Sequence, residues 1–293
     1  MKSFLKKSSI FLLLLLVLNV LMFFLIKLFY IKDYEDVDLK FSSFLLADSH
    51  GTPIGDFSEE YDVHNFSGQS DSYLDMERKL KYLIRNTDVD TIYISVDDHT
   101  LSPTRENQNN LDRSAYYTTK EDYSNYFDYI NDKYLKYYLI FLNDRYSLVI
   151  KNFIQEELFA FSKWGGSSSK IPWEKLTVEE QKEKSKARFE NYFEKPDPSV
   201  KMSAALQNII SICEDNNIKL FGVRFPVSKV YYGILGEESY HADSLFFKNG
   251  LVVLDFDNLL LEQDSLFRDM DHLDKEGGGV FADILFDTID SIP

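Results

Sequence analysis

Residues 10–31 constrain this chain more than any other stretch. They form an apolar run broken only by Asn19 and Lys27. About 20 such residues cross the hydrocarbon core of a bilayer, so the run reads as a transmembrane signal anchor. A cleavable signal peptide would show a shorter apolar core, roughly 7 to 15 residues, and then a small-x-small cleavage site; the sequence has neither. Lys2, Lys6 and Lys7 precede the run, while Asp33, Glu35, Asp36 and Asp38 follow it. That lysine excess predicts a cytoplasmic segment at 1–9 and export of the rest. Residues 32–39 then read as an acidic stalk, which leaves 40–293 for an extracytoplasmic domain.

Beyond the stalk, short β-rich runs alternate with helical stripes. Phe41–Ala47, Tyr61–Phe66, Asp90–Val96, Ile218–Phe225 and Leu251–Phe256 read as strands. Asp71–Arg85, Lys201–Asn216 and Gly277–Ile289 read as helices, and Thr52–Asp56 carries turn residues. This alternation predicts an α/β fold of three layers, α/β/α, around a mainly parallel sheet. Functional sites in such sheets lie at the carboxyl ends of the strands. From about 105 to 199 the pattern changes: tyrosines crowd a mostly helical stretch that includes a Gly-Gly-Ser-Ser-Ser loop at 165–169 and a charged helix near Val178–Phe193. It reads as an insertion whose tyrosines pack its helices, form a sugar-stacking cleft or make a lid.

With 32 basic against 48 acidic residues the formal charge is −16, which argues against a nucleic-acid partner because phosphate binding needs clustered Lys and Arg. Cys213 is the single cysteine and sits in an amphipathic helix, so it reads as a core residue. Five histidines without H-x-x-x-H spacing suggest no metal site, and nothing in the sequence calls for a cofactor.

The apolar run Leu45-Leu46-Ala47 delivers Asp48-Ser49-His50-Gly51 into a small-residue turn. A serine hydroxyl needs a base within hydrogen-bond reach and donors for the oxyanion that its attack creates. Near the far end, Asp269-Met270-Asp271-His272 offers a histidine with a carboxylate three residues before it. Ser49 is therefore the candidate nucleophile, His272 the general base and acid, and Asp269 the orienting group; Asp271 is a second carboxylate within reach. His50 and His99 are candidates for facing the substrate.

Together these blocks resemble the SGNH (GDSL-like) hydrolase superfamily, in which a Gly-Asp-Ser block follows the first strand and a late Asp-x-x-His block carries the base. Asp269-Met270-Asp271-His272 is followed by Leu273-Asp274-Lys275-Glu276-Gly277, similar to the His-Leu-Asn-x-x-Gly continuation of many members, with Asp274 placed to cap the terminal helix. The resemblance implies an oxyanion hole built from the Ser49 backbone N–H and Gly68, in Asn65-Phe66-Ser67-Gly68. The family's third block, Gly-x-Asn-Asp, is replaced here by Ser95-Val96-Asp97-Asp98-His99, which removes the usual asparagine donor and leaves Asn65 or His99 as substitutes. Membrane-anchored members similar to this chain, the AlgX/AlgJ-like and DltD-like branches, imply a serine esterase or O-acyltransferase acting on acetyl or related esters of a cell-surface polysaccharide, alongside a multi-pass membrane acyltransferase. The missing third block supports the competing expectation, a catalytically inactive module that binds a polymer or scaffolds a membrane assembly.

Overall fold

The computed structural model describes residues 1–154 and 171–291; the Gly-Gly-Ser-Ser-Ser stretch lies outside them. In chain order the elements that matter are α1 (Lys2–Ile26), β1 (Ser43–Leu46), β2 (Val63–Asn65), α2 (Tyr73–Asn86), β3 (Thr91–Ser95), α3 (Asp144–Phe153), α4 (Val178–Tyr192), α5 (Val200–Asp215), β4 (Lys219–Arg224), α6 (Lys229–Leu235), β5 (Val252–Asp255) and α7 (Lys275–Asp290). The chain divides into two compact units, Met1–Asp36 with Leu111–Ser169, and Val37–Asn110 with Lys170–Pro293.

The second unit holds a five-stranded, all-parallel sheet in the order β2-β1-β3-β4-β5. In parallel sheets both faces are covered, and the strands read accordingly. Leu45, Tyr93 and Val223 share one buried cluster with Phe281, Leu285 and Phe286 of α7, while the alternate positions Phe44, Leu46, Ile92 and Ile94 are also fully buried. Because all strands run the same way, their carboxyl ends share one edge. The strand order turns back on itself between β1 and β3, the kind of switch point at which ligands of such sheets bind. Tyr73, at the start of α2, ties that helix to the same edge by donating its hydroxyl to the Ser95 carbonyl at 2.8 Å.

Three boundaries differ from those expected. Tyr61 is not in the second strand: it ends a 3-10 stretch over Thr52–Tyr61, and Asp62, at φ 55°, turns the chain before β2 begins. Of the stalk, Lys32–Glu35 is helical and Tyr34 is buried. The stretch 105–199 also divides by contact: Trp173 is buried in the sheet unit's core and α4 packs on α6, whereas 111–169 belongs with the N-terminal helix.

In the first unit α1 is helical from Lys2, continues through a π turn (Lys27–Ile31) and reaches Glu35 in the short helix that follows. It is long and apolar enough to cross a membrane. Ile26 and Ile31 are buried with Tyr137, Ile140 and Tyr146, so several of the crowded tyrosines serve as packing.

Candidate active site

β1 ends at Leu46, and the turn that follows is organised by the buried Asp48. One of its oxygens accepts the His50 N–H at 3.0 Å, and its carbonyl accepts the Gly51 N–H at 3.2 Å. Thr52 donates its hydroxyl to the Ser49 carbonyl at 2.9 Å. A side chain at Gly51 would place its Cβ 2.4 Å from Ser67 Oγ and 2.6 Å from Ala47 Cβ, so only glycine permits this turn to sit against β1 and the loop after β2.

The second half of the site comes from the loop before α7. Phe267 and Leu273 pair as an antiparallel bridge, and Asp269 Oδ1 accepts the backbone N–H groups of Asp271 and His272 at 3.3 and 3.1 Å. His272 is thereby held at the tip of a closed turn. Asp274 caps α7 by accepting the Gly277 N–H at 2.8 Å. Gly278 lets the first turn of α7 lie directly on the chain after Ser49: its Cβ would fall 2.0 Å from the Pro53 carbonyl oxygen. The two turns, far apart in sequence, are locked together by that contact.

Their side chains meet. Ser49 Oγ lies 2.7 Å from His272 Nε2, and His272 Nδ1 lies 2.7 Å from Asp269 Oδ1. A second carboxylate oxygen, Asp271 Oδ1, is 3.0 Å from the same Nδ1 but outside hydrogen-bond geometry. Nδ1 has one hydrogen to donate, and it goes to Asp269; Asp271 acts on the ring through its charge. Burial opposes a cation at His272, yet the Asp271 charge and the Asp269 hydrogen bond outweigh it and raise the pKa above the ordinary histidine value. This arrangement can deprotonate Ser49 and hold the resulting imidazolium.

No family model matches this chain, and no curated protein does.

The remaining expected residues are placed differently. Gly68 does not offer its N–H to the site, because that group donates to the Ala47 carbonyl at 3.0 Å while fixing the loop after β2 to β1. Asn65 gives one amide hydrogen to the Gly51 carbonyl at 2.8 Å and accepts the Ser67 N–H, which leaves its second amide hydrogen available. The Ser49 N–H has no acceptor among the described residues. Ser67 Oγ, buried beside Gly51, has no hydrogen-bond partner among them either; it is a donor that motif reading passes over.

His50 and His99, expected as candidates for facing a substrate, are instead buried in a charge network under the nucleophile turn. His50 Nδ1 is 2.8 Å from Asp97, its Nε2 is 3.6 Å from Asp271, and its ring stands 5.0 Å from that of His272. Burial works against its charge, but Asp48 and Asp97 override it and raise the pKa well above the ordinary value. His99 Nε2 meets Asp48 at 3.2 Å and stacks on Tyr192. Arg105 reaches the same Asp48 oxygen at 3.2 Å. Burial would raise the Asp48 and Asp271 pKa values, but the surrounding cations drive both well below the carboxylate range. Arg188 of α4 completes the set, 3.6 Å from Asp271.

Asp97 occupies the place where an oxyanion-binding asparagine was expected. Its two oxygens are turned to His50 and to the Phe225 N–H, the latter at 2.7 Å, so it serves as an internal anchor. Two trios, Asp48 with His50 and His99, and His50 with Asp271 and His272, bring ligand-type atoms close enough to share an ion. Their carboxylates already carry histidine and arginine partners, and Arg105 on Asp48 and Arg188 on Asp271 would repel a metal cation. The donor set therefore fits an internal ion network better than a metal centre. A cleft of about 610 Å³ lies between the chain after Ser49 and the start of α7, lined by Thr52, Asp56, Phe57, Glu60, Arg268 and Lys275 among others; neither Ser49 nor His272 lines it.

Proposed function

We propose that this protein is a membrane-anchored serine esterase or O-acyltransferase acting on acyl esters, of which acetyl is the simplest, of a cell-surface polysaccharide. The observation that carries the reading is the continuous chain Ser49 Oγ, His272, Asp269, each link 2.7 Å long. As Ser49 Oγ bonds to the acyl carbon, His272 Nε2 takes its proton and the carbonyl electrons move to oxygen. The Ser49 N–H is one donor for that oxyanion, with the spare Asn65 amide hydrogen and the Ser67 hydroxyl as the nearby candidates for a second. Collapse expels the sugar oxygen, which recovers the proton from His272. Water or an acceptor hydroxyl then attacks the acyl-Ser49, giving up its proton to His272; as the acyl carbon–Oγ bond breaks, His272 returns that proton to Ser49 Oγ and both residues are restored.

The cleft between the chain after Ser49 and α7 is then the candidate place for the polyol: Thr52, Arg268 and Lys275 offer donors and Asp56 and Glu60 acceptors to hydroxyl groups, and Phe57 offers a ring. On this reading α1 spans the membrane with residues 1–9 in the cytoplasm and the site outside. Transfer, as opposed to hydrolysis, needs an acyl group delivered across the bilayer, the step a multi-pass acyltransferase would supply.

A fluorophosphonate should label Ser49 in the full-length protein, with labelling lost in Ser49→Ala and in His272→Ala. Absence of labelling in a folded protein that also fails to turn over acetylated sugars would support the alternative, an inactive SGNH-like module that binds polymer or scaffolds an assembly. The Gly68 N–H bonded to Ala47 is the observation that favours that alternative.

A further inference from the structure

Asn19 lies in the middle of the most apolar stretch of α1, yet it is buried. Its side-chain amide donates to the Tyr138 carbonyl at 2.9 Å and accepts the Ile140 N–H at 3.1 Å. It thus satisfies a break between two helical segments, where Leu139 leaves the helical region before the 3-10 turn Ile140–Leu142. The segment pinned there, Tyr137-Tyr138-Leu139-Ile140-Phe141-Leu142, has no charged residue, and it leaves Phe141 and Leu142 more than half exposed.

Helix length decides where this segment sits if α1 crosses a bilayer. From Ser8 to Ile26, between Lys7 and Lys27, there are 19 residues. At about 1.5 Å each they span roughly 28 Å, close to the hydrocarbon thickness of about 30 Å. The part exposed on all sides, Ile10–Leu18, is nine residues, or about 14 Å, too short to span alone. The hydrocarbon layer must therefore include Asn19, about 12 Å inward of Lys27, together with whatever is bonded to it. Irregular backbone at that depth is tolerated where protein satisfies it, and Asn19 does so on both sides of the break.

The neighbouring helix fits the boundary above. Tyr146 and Phe153 of α3 meet Tyr30 and Phe29, adjacent residues of the π turn, with ring centroids 6.1 and 5.1 Å apart. This sets α3 across the axis of α1. Its Asp144 and Lys151 are exposed beside an exposed Leu148, the mixed composition of a helix lying in the headgroup layer, and tyrosines are the residues that favour that layer.

We infer that Tyr137–Leu142 is a lipid-embedded wedge, inserted beside α1 into the leaflet on the Lys27 side and pinned there by Asn19, with α3 lying in the headgroup region. The tyrosine-rich segment thus grips lipid, in place of the glycan contact that its composition suggested. This rests on the reading that α1 spans the membrane, and the test separates the two. The full-length protein is reconstituted into phosphatidylcholine vesicles with an environment-sensitive fluorophore at Leu142→Cys, Leu14→Cys or, as a water-exposed reference, Val200→Cys. Cys213 is buried with its thiol pushed up to about 12, so labelling is selective. Nitroxide-bearing acyl chains should quench the probes at 14 and 142, with blue-shifted emission, and spare the one at 200. In Asn19→Leu, quenching at 142 should drop several-fold while that at 14 persists. Quenching at 14 without quenching at 142 overturns the wedge and leaves the span standing, with the tip free for water or a protein partner. Quenching at neither position overturns both.

Discussion

At the scale of single residues, the site pairs one exchangeable proton with several fixed charges. His272 must be neutral to accept the Ser49 proton, and its pKa is raised in the folded protein. The acid limb of kcat/KM against pH should therefore fall above 6.5, the ordinary histidine value. Asp271→Asn removes the largest of the effects that raise it and should move that limb to lower pH, whereas Asp269→Asn, which disturbs the tautomer, should lower kcat across the whole profile. His50 has a structural part, through its contact with Asp97. Its folded pKa is raised, so its contribution to stability is complete below the unfolded value and is lost as pH climbs through the folded one. Asp48 and Asp271, with depressed values, contribute above the ordinary carboxylate range and lose that contribution as pH falls through their folded values. His50→Ala should cost about 3–5 kcal/mol, because it removes the hydrogen-bonded partner of the buried Asp97; urea unfolding at neutral pH measures it. Ser49, Asp269 and His272 were legible because they belong to two short blocks in a recognisable order. Asp97 and Arg188 were not: their roles depend on partners more than 40 residues away, and no local pattern announces a carboxylate turned inward onto a histidine.

At the scale of elements, close approach does what motif spacing only implies. The chain after Ser49 and the first turn of α7 touch at Gly278 and Pro53. Gly278→Ala should force the two turns apart, destabilise the fold by about 1–3 kcal/mol, and lower kcat more than it raises KM, since it displaces the base from the nucleophile. A second support lies under the loop after β2, where the buried Lys79 donates to Asp71 at 2.6 Å and to the Phe66 carbonyl at 2.8 Å. Burial raises the Asp71 pKa despite that partner. Lys79→Met should cost about 3–5 kcal/mol by leaving a carboxylate without its cation, read as a shift in the urea midpoint. The strands β1, β3 and β4 and the helix α5 could be placed from sequence to within a few residues, because β-branched runs and a 3.6-residue stripe survive in one dimension. β2 is shorter than its apolar pattern suggested, since the left-handed Asp62 consumes its start. The contact of Asn19 with residues 138–140 had no such trace: hydropathy treats a lone polar residue in an apolar helix as a tolerated defect, and only the fold shows it to be a hydrogen-bonding joint.

At the scale of the whole molecule, the chain passes from one compact unit to the other three times, after Asp36, Asn110 and Ser169. Removing the apolar helix to make a soluble protein should consequently fail: a chain beginning at Val37 loses Ile26 and Ile31 from the cluster that buries Tyr137, Ile140 and Tyr146, and should elute from gel filtration as aggregates. Replacing 111–169 by a flexible linker in that same chain should restore a monomer that still reacts with a fluorophosphonate. The triple crossing also bears on how such a protein can be shed. A protease that cuts a single exposed stalk frees an ordinary single-anchor domain, but here each crossing left intact keeps Ser49 covalently tied to the unit that holds the apolar helix, so separating the two units takes three separate cuts.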